Sequence, residues 1–149
     1  MRLLNVDTLE FGEFFDADIP PYTILSHRWG AEEVSHKDFK KGRMKESGGY
    51  KKILGCCALT RKQRDAGIYR RPYLDPTGLL HNEPMHVGWT WIDTCCIDKR
   101  SSAEMSEAIN SMYRWYANAQ ECFVYLSDVS WRDHMRGTHL RALLHFSKW

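Results

Sequence analysis

Three short runs are predominantly apolar: Tyr22-Thr23-Ile24-Leu25-Ser26, Trp89-Thr90-Trp91-Ile92-Asp93 and Cys122-Phe123-Val124-Tyr125-Leu126. They are rich in β-branched and aromatic residues and do not alternate with polar ones. That is the pattern of strands covered on both faces, as in a parallel sheet. Helical periodicity fills the intervals. Residues 50–66 put Ile53, Leu54, Cys57, Ala58 and Ala66 on one face, and Gly67 stops the run. Ser101-Ser102-Ala103-Glu104 reads as a capping box, with Ser101 as N-cap and Glu104 reaching back to it. Met105, Ala108, Ile109, Met112, Tyr116 and Ala119 then recur at helical spacing, and Trp115 with Tyr116 reads as helix–sheet core. Strand, helix, strand, helix, strand predicts an α/β fold, a parallel sheet flanked by helices.

The remaining segments are less patterned. Leu3-Leu4 suggests a short strand or arm, and Phe14 and Phe15 precede a helix-blocking Pro20-Pro21. Residues 42–50 read as a turn. Residues 70–88 hold Pro72, Pro76, Gly78, Pro84 and Gly88 without a period, which predicts a long irregular surface insertion. Cys95-Cys96-Ile97-Asp98 either extends the second strand or turns away from it. Past the third strand, Ser127-Asp128 ends the run, residues 131–137 read as loop, and residues 139–149 open a further helix. A sheet that stops at its third strand leaves an edge and a helix face uncovered, so marginal stability in isolation is expected.

The length, 149 residues, predicts one domain spanning 1–149. With 43% apolar, 27% charged and 13% aromatic residues, the chain is neither disordered nor fibrous. No apolar run approaches the ~20 residues of a membrane span. The N-terminus lacks the pattern of a signal peptide, so a cytoplasmic protein with no membrane partner is expected. Five cysteines, as Cys56-Cys57, Cys95-Cys96 and Cys122, form neither a disulfide framework nor a zinc-ligand spacing and read as buried thiols. Net charge is only +2, yet residues 36–71 hold twelve basic and three acidic side chains. That stretch reads as a solvated helix face, and nucleic acid is not the expected partner.

Parallel sheets bind ligands at the carboxyl ends of their strands. Here those ends carry Ser26-His27-Arg28-Trp29-Gly30, the segment from Asp93 to Asp98, and Ser127-Asp128. Ser26 and His27 are adjacent on a strand and point to opposite faces, which argues against a nucleophile–base pair. Arg28 beside Trp29 and Gly30 forms either an anion and ring platform or a structural turn. Asp93 and Asp98 either do acid–base work and bind ribose hydroxyls, or cap the loop. His81 and His86, or His134 and His139, miss the spacing of a helical metal pair, and no metal site is expected.

Pro21-Tyr22-Thr23-Ile24-Leu25-Ser26-His27-Arg28-Trp29-Gly30 resembles the opening motif of the fungal heterokaryon-incompatibility (HET) domain, and Trp91-Ile92-Asp93-Thr94-Cys95-Cys96-Ile97-Asp98-Lys99 is similar to its second motif. The stretch from Ser101 to Tyr116 and that from Ala119 to Val129 resemble the helix and strand that follow. The resemblance implies a role in fungal non-self recognition that ends in cell death, in concert with other domains or proteins of incompatibility signalling and as a candidate homo-oligomer. It also implies a sheet distantly related to the Toll/interleukin-receptor (TIR), flavodoxin-like fold, some of whose members cleave NAD with a glutamate. In HET domains that glutamate follows a Ser-Arg/Lys-Trp segment, here Ser147-Lys148-Trp149, where the sequence ends. The expectation is therefore a part-domain that signals without catalysis, with NAD cleavage as the alternative for a complete domain. On this chain only Glu104, Asp93 or Asp98 would supply a carboxylate. The ligand pocket implied comprises Ser26, His27, Arg28, Trp29, Gly30, Asp93, Cys96, Asp98, Lys99 and Arg100, with the loop of Asp98, Lys99 and Arg100 lying over the nucleotide.

Overall fold

The expected strands are found at Tyr22–His27 (β3), Trp89–Ile92 (β6) and Glu121–Tyr125 (β7), in a computed structural model that describes residues 1–126. The readings made for Ser127-Asp128, residues 131–137 and residues 139–149 lie outside the described residues. β6, β3 and β7 are mutually parallel, with Ile24 opposite both Trp91 and Cys122. Parallel pairing needs long crossovers, and the helical segments supply them.

The sheet is mixed rather than wholly parallel, which corrects the sequence reading. Arg2–Asn5 (β1) and Phe11–Glu13 (β2) form an antiparallel hairpin, and β1 pairs antiparallel with β6, giving the order β2-β1-β6-β3-β7. The physical reason is the short connection between β1 and β2, which permits only a reversal. Asn5 Oδ1 accepts the N–H groups of Asp7 and Thr8 and closes that turn.

Helices cover both faces. Thr23 Oγ1 meets Thr60 Oγ1 at 2.8 Å, and Cys56 Sγ meets Thr90 Oγ1 at 3.3 Å, seating helix Gly48–Asp65 (α2) on one face. Trp91 meets Trp115 edge-on at 5.5 Å, and Tyr22 Oη donates to the Trp115 carbonyl, seating helix Ser102–Asn118 (α4) on the other. α2 starts two residues earlier than its apolar pattern suggests, because the Ser47 side chain caps it by accepting the Tyr50 N–H. Its inward face is Lys52, Ile53, Cys56, Cys57 and Thr60, while Ala58 and Ala66 are exposed and Leu54 is half-buried. The sheet offers hydroxyls here, so polar residues take part in the contact.

In α4 Ala108 and Trp115 are buried as expected, as is Ala119 just past its end, but Ile109 is 64% exposed. The capping box is half formed: Ser101 Oγ accepts the Glu104 N–H, whereas Glu104 turns to Arg2 and to the Asp98 N–H. Two further helices were not apparent in the pattern: His36–Lys40 (α1), capped by Ser35, and the single turn Asp93–Cys96 (α3) that bends the chain away from β6.

The 70–88 segment is at the surface as expected, but it is not irregular. Arg70–Leu74 (β4) and Leu80–Pro84 (β5) form a separate antiparallel hairpin. Asp75 organises its turn by accepting the Thr77 and Leu79 N–H groups. All five cysteines are free, and Cys56, Cys57, Cys95 and Cys96 are buried. Burial pushes the Cys57 thiol up to about 12, so it packs as a neutral apolar group.

Candidate functional site at the carboxyl ends of the parallel strands

Strand alternation sends Ser26 and His27 to opposite faces of the sheet, as expected. Ser26 contacts Tyr116 of α4, while the His27 ring enters the layer between sheet and α2. There His27 Nε2 lies 3.6 Å from both Glu33 Oε2 and Asp93 Oδ1, too long for a hydrogen bond but close enough for strong electrostatic coupling. The two carboxylate oxygens are buried and have no hydrogen-bond partner among the described residues.

Lys52 of α2 reaches the other oxygen of Glu33, with Nζ to Oε1 at 2.5 Å, and its side chain is only 5% exposed. The Gly30 N–H donates to the same Glu33 oxygen at 2.8 Å. This arrangement depends on a close approach of the α2 N-terminus to residues 32–33. A Cβ on Gly49 would lie 2.2 Å from the Glu32 carbonyl oxygen, so only glycine fits.

Trp29 forms the outer wall. Its indole Nε1 donates to Asp93 Oδ2 at 2.7 Å, and the Lys99 ammonium stands 3.1 Å from the ring centroid. Lys52 also faces the Tyr125 ring, 5.6 Å away.

Titration follows this burial. Desolvation, reinforced by Lys52, holds the His27 pKa below its usual 6.5. Glu33 is pushed up by burial, but Lys52 and the Gly30 N–H outweigh that and leave it below the ordinary carboxylate value. Burial lowers the Lys99 pKa against the pull of Asp93 and Glu33. The result is a neutral imidazole flanked by two carboxylates and two ammonium groups. The two unpaired carboxylate oxygens are sealed inside, while the half-exposed Trp29 ring, with Lys99 over one face, is the part of the set that meets solvent.

Of the residues singled out from the sequence, His27, Trp29, Gly30, Asp93 and Lys99 come together here. Arg28 is exposed and makes no ion pair among the described residues. Cys96, Asp98 and Arg100 make their contacts elsewhere. The Cys96 thiol accepts the Ile92 N–H inside the core, and its carbonyl accepts from Arg2. Asp98 is held by Arg100 at 2.6 Å, which pulls its carboxyl well below the usual range. Glu104 is held by Arg2, also at 2.6 Å. Glu33 and Lys52 had no such signal. Lys52 sits in the basic stretch that reads as a solvated helix face, Glu33 lies just outside it beside Glu32, and only the packing of α2 buries the pair. Among the described residues no group of three or more His, Cys, Asp or Glu side chains is arranged to hold a metal ion.

The family model described as heterokaryon incompatibility protein (HET) matches residues 22–147. The chain belongs to the HET family. The match begins at Tyr22, the first residue of β3, so every member of the site cluster lies within the HET region and the β1–β2 hairpin precedes it. Over 114 residues the chain is also 47% identical to vegetative incompatibility protein HET-E-1 of Podospora anserina. That alignment covers 75% of this chain and 7% of the relative, so this HET chain spans only a small part of the curated protein it matches. No solved structure gives a significant match.

Proposed function

We propose that this HET domain serves fungal non-self recognition, as a signalling and interaction module whose engagement ends in cell death. The observation that carries the reading is the HET match across residues 22–147, supported by 47% identity to a protein named for vegetative incompatibility. The module acts in the cytoplasm, through other domains or proteins of incompatibility signalling and through copies of itself. The site supports recognition rather than turnover. Each nearby carboxylate has at least one oxygen engaged, Glu33 by Lys52, Asp93 by Trp29, Asp98 by Arg100 and Glu104 by Arg2.

One observation favours a second reading, a TIR-like NAD glycohydrolase formed by the complete domain. The buried carboxylate oxygens of Glu33 and Asp93 face His27 at the carboxyl ends of parallel strands, where nucleotides bind in such sheets.

The test is inducible expression in a fungal host, of the chain alone and within its complete reading frame, with vital-dye uptake and cellular NAD followed together. Dye uptake that is lost with Trp29→Ala, at constant NAD, is expected for signalling. A fall in NAD before dye uptake, with nicotinamide release abolished by Asp93→Asn, would move the assignment to catalysis. Full viability at verified expression of the complete protein would remove the incompatibility reading.

A further inference from the structure

The cations of residues 37–52 divide into those that find a carboxylate and those that do not. Arg43 pairs with Asp38 at 3.8 Å, Lys51 pairs with Glu46 at 3.7 Å, and Lys52 is buried against Glu33. Lys37, Lys40, Lys41 and Lys45 are exposed and make no ion pair or hydrogen bond among the described residues. Three more carboxylates border this surface. Glu13 is held by Arg2, Glu32 accepts the Gly48 N–H, and Glu10 lines the groove beside Lys40 without pairing with it. With these acids counted, positive charge is still left over. Lys37, Lys40, Lys41, Arg43, Lys45 and Lys51 outnumber Asp38, Glu46, Glu32 and Glu10.

The fold gathers the unpaired lysines. α1 buries Phe39 and sets Lys37, Lys40 and Lys41 at i, i+3 and i+4, on one side of the helix. The following turn brings Lys45 back to them. A Cβ on Gly42 would lie 3.2 Å from Lys45 Cε, so that side chain folds over the end of α1.

The same turn carries an apolar side chain outward. Met44 has left-handed backbone, at φ +58°, which is uncommon for a residue with a Cβ. Its side chain is 42% exposed, between the exposed Arg43 and Lys45. The hollow beside it is lined by Glu32, Lys45, Glu46 and Ser47, none of them apolar.

We infer that this face is a peripheral membrane-contact surface, on which Lys37, Lys40, Lys41 and Lys45 meet an anionic lipid bilayer and Met44 enters the boundary between headgroups and acyl chains. The negative potential of an anionic leaflet attracts unpaired cations. An apolar side chain set among them is buried only where an apolar layer lies beneath the anionic groups, as it does in a bilayer. A nucleic-acid backbone offers no such layer, and the rings of this segment, Phe39 and Tyr50, stack on each other rather than offering bases a platform. The expectation of no membrane partner rested on the lack of a span. No described helix is long and apolar enough to cross a membrane, and a surface contact needs none. Few cations and one apolar anchor make the contact weak, reversible and sensitive to salt.

Flotation of the purified 149-residue chain with vesicles of phosphatidylcholine alone, or of phosphatidylcholine mixed with phosphatidylserine, tests this. The chain is expected to float with the phosphatidylserine vesicles only, at about 0.1 M salt, and to be released at about 0.5 M. Lys40→Gln/Lys41→Gln is expected to weaken partition about tenfold or more, since each cation near an anionic surface contributes roughly fivefold. Lys62→Gln/Arg70→Gln removes the same charge elsewhere and is expected to change partition less than about twofold. Met44→Asn, which suits the left-handed backbone, is expected to weaken partition several-fold with every charge intact. All five substituted positions are exposed. A wild-type chain that stays off phosphatidylserine vesicles at low salt overturns the inference, and that result needs no variant. So do equal losses in the two charge-neutralised variants, or wild-type partition by Met44→Asn. Binding to a single-stranded oligonucleotide that persists at the salt releasing the vesicles would assign the patch to nucleic acid instead. The assay contains no other protein, so its outcome is separate from that of the incompatibility reading.

Discussion

An ammonium group that leaves water must find a carboxylate, and Lys52 finds Glu33 at 2.5 Å. The pair is mostly buried, so removing one partner leaves the other charge uncompensated. Lys52→Met is therefore expected to cost roughly 3 kcal/mol of folding stability. Denaturant unfolding with unchanged slope and a lowered midpoint checks it, and a midpoint equal to that of wild type would contradict it. Glu33 also receives the Gly30 N–H, so the same substitution loosens the loop that carries Trp29. Neither Lys52 nor Glu33 was legible as a site residue. Each stands among like charges in the sequence, and charge alone does not distinguish a solvated lysine from a buried one.

Elements differ in how much of the core they hold. Strands β3 and β6 were readable because residues buried on both faces leave an unbroken apolar run, as Thr23, Ile24, Leu25 and Thr90, Trp91, Ile92 do. The β4–β5 hairpin was not readable as strands. Its side chains are exposed or half-buried, and its prolines suggest loop. It is held by local pairs, among them Arg71–Glu83 and the stacked Tyr73 and His81. The Met85 N–H donates to the Tyr69 carbonyl at 2.9 Å, so the two ends of the hairpin already meet. Replacing residues 70–84 by a short glycine-containing turn is expected to change the melting temperature of the protein little, provided Tyr69 and Val87 are kept. A thermal melt lowered by many degrees would show that the hairpin supports the core.

The whole molecule carries a pH dependence set by burial. His27 and His36 both have pKa values below their ordinary 6.5, in each case chiefly through desolvation. The unfolded chain binds these protons more readily than the folded one. Stability is therefore complete above the unfolded value of 6.5 and falls as pH drops from there toward the folded values. The melting temperature is expected to decline between about pH 7 and pH 5, before carboxylates such as Glu33 and Asp98 begin to be protonated. His27→Asn combined with His36→Asn should flatten that decline. A melting temperature constant across this range would show that the two rings do not resist protonation.

The three parallel strands, the two main helices, the buried thiols and the two motifs that bring Trp29 and Asp93 to one end of the sheet were legible in the chain. All of these follow from local pattern, since burial on both faces, a helical period or a strand terminus is written in consecutive residues. The antiparallel addition of β1 and β2, the partners of Cys96, Asp98 and Glu104, and the burial of Lys52 against Glu33 beside His27 emerged only with the packed fold. Those depend on which surfaces meet across long separations. Glu33 and Lys52 are 19 residues apart, and the contact that joins them exists only because Gly49 lets α2 approach the backbone of Glu32.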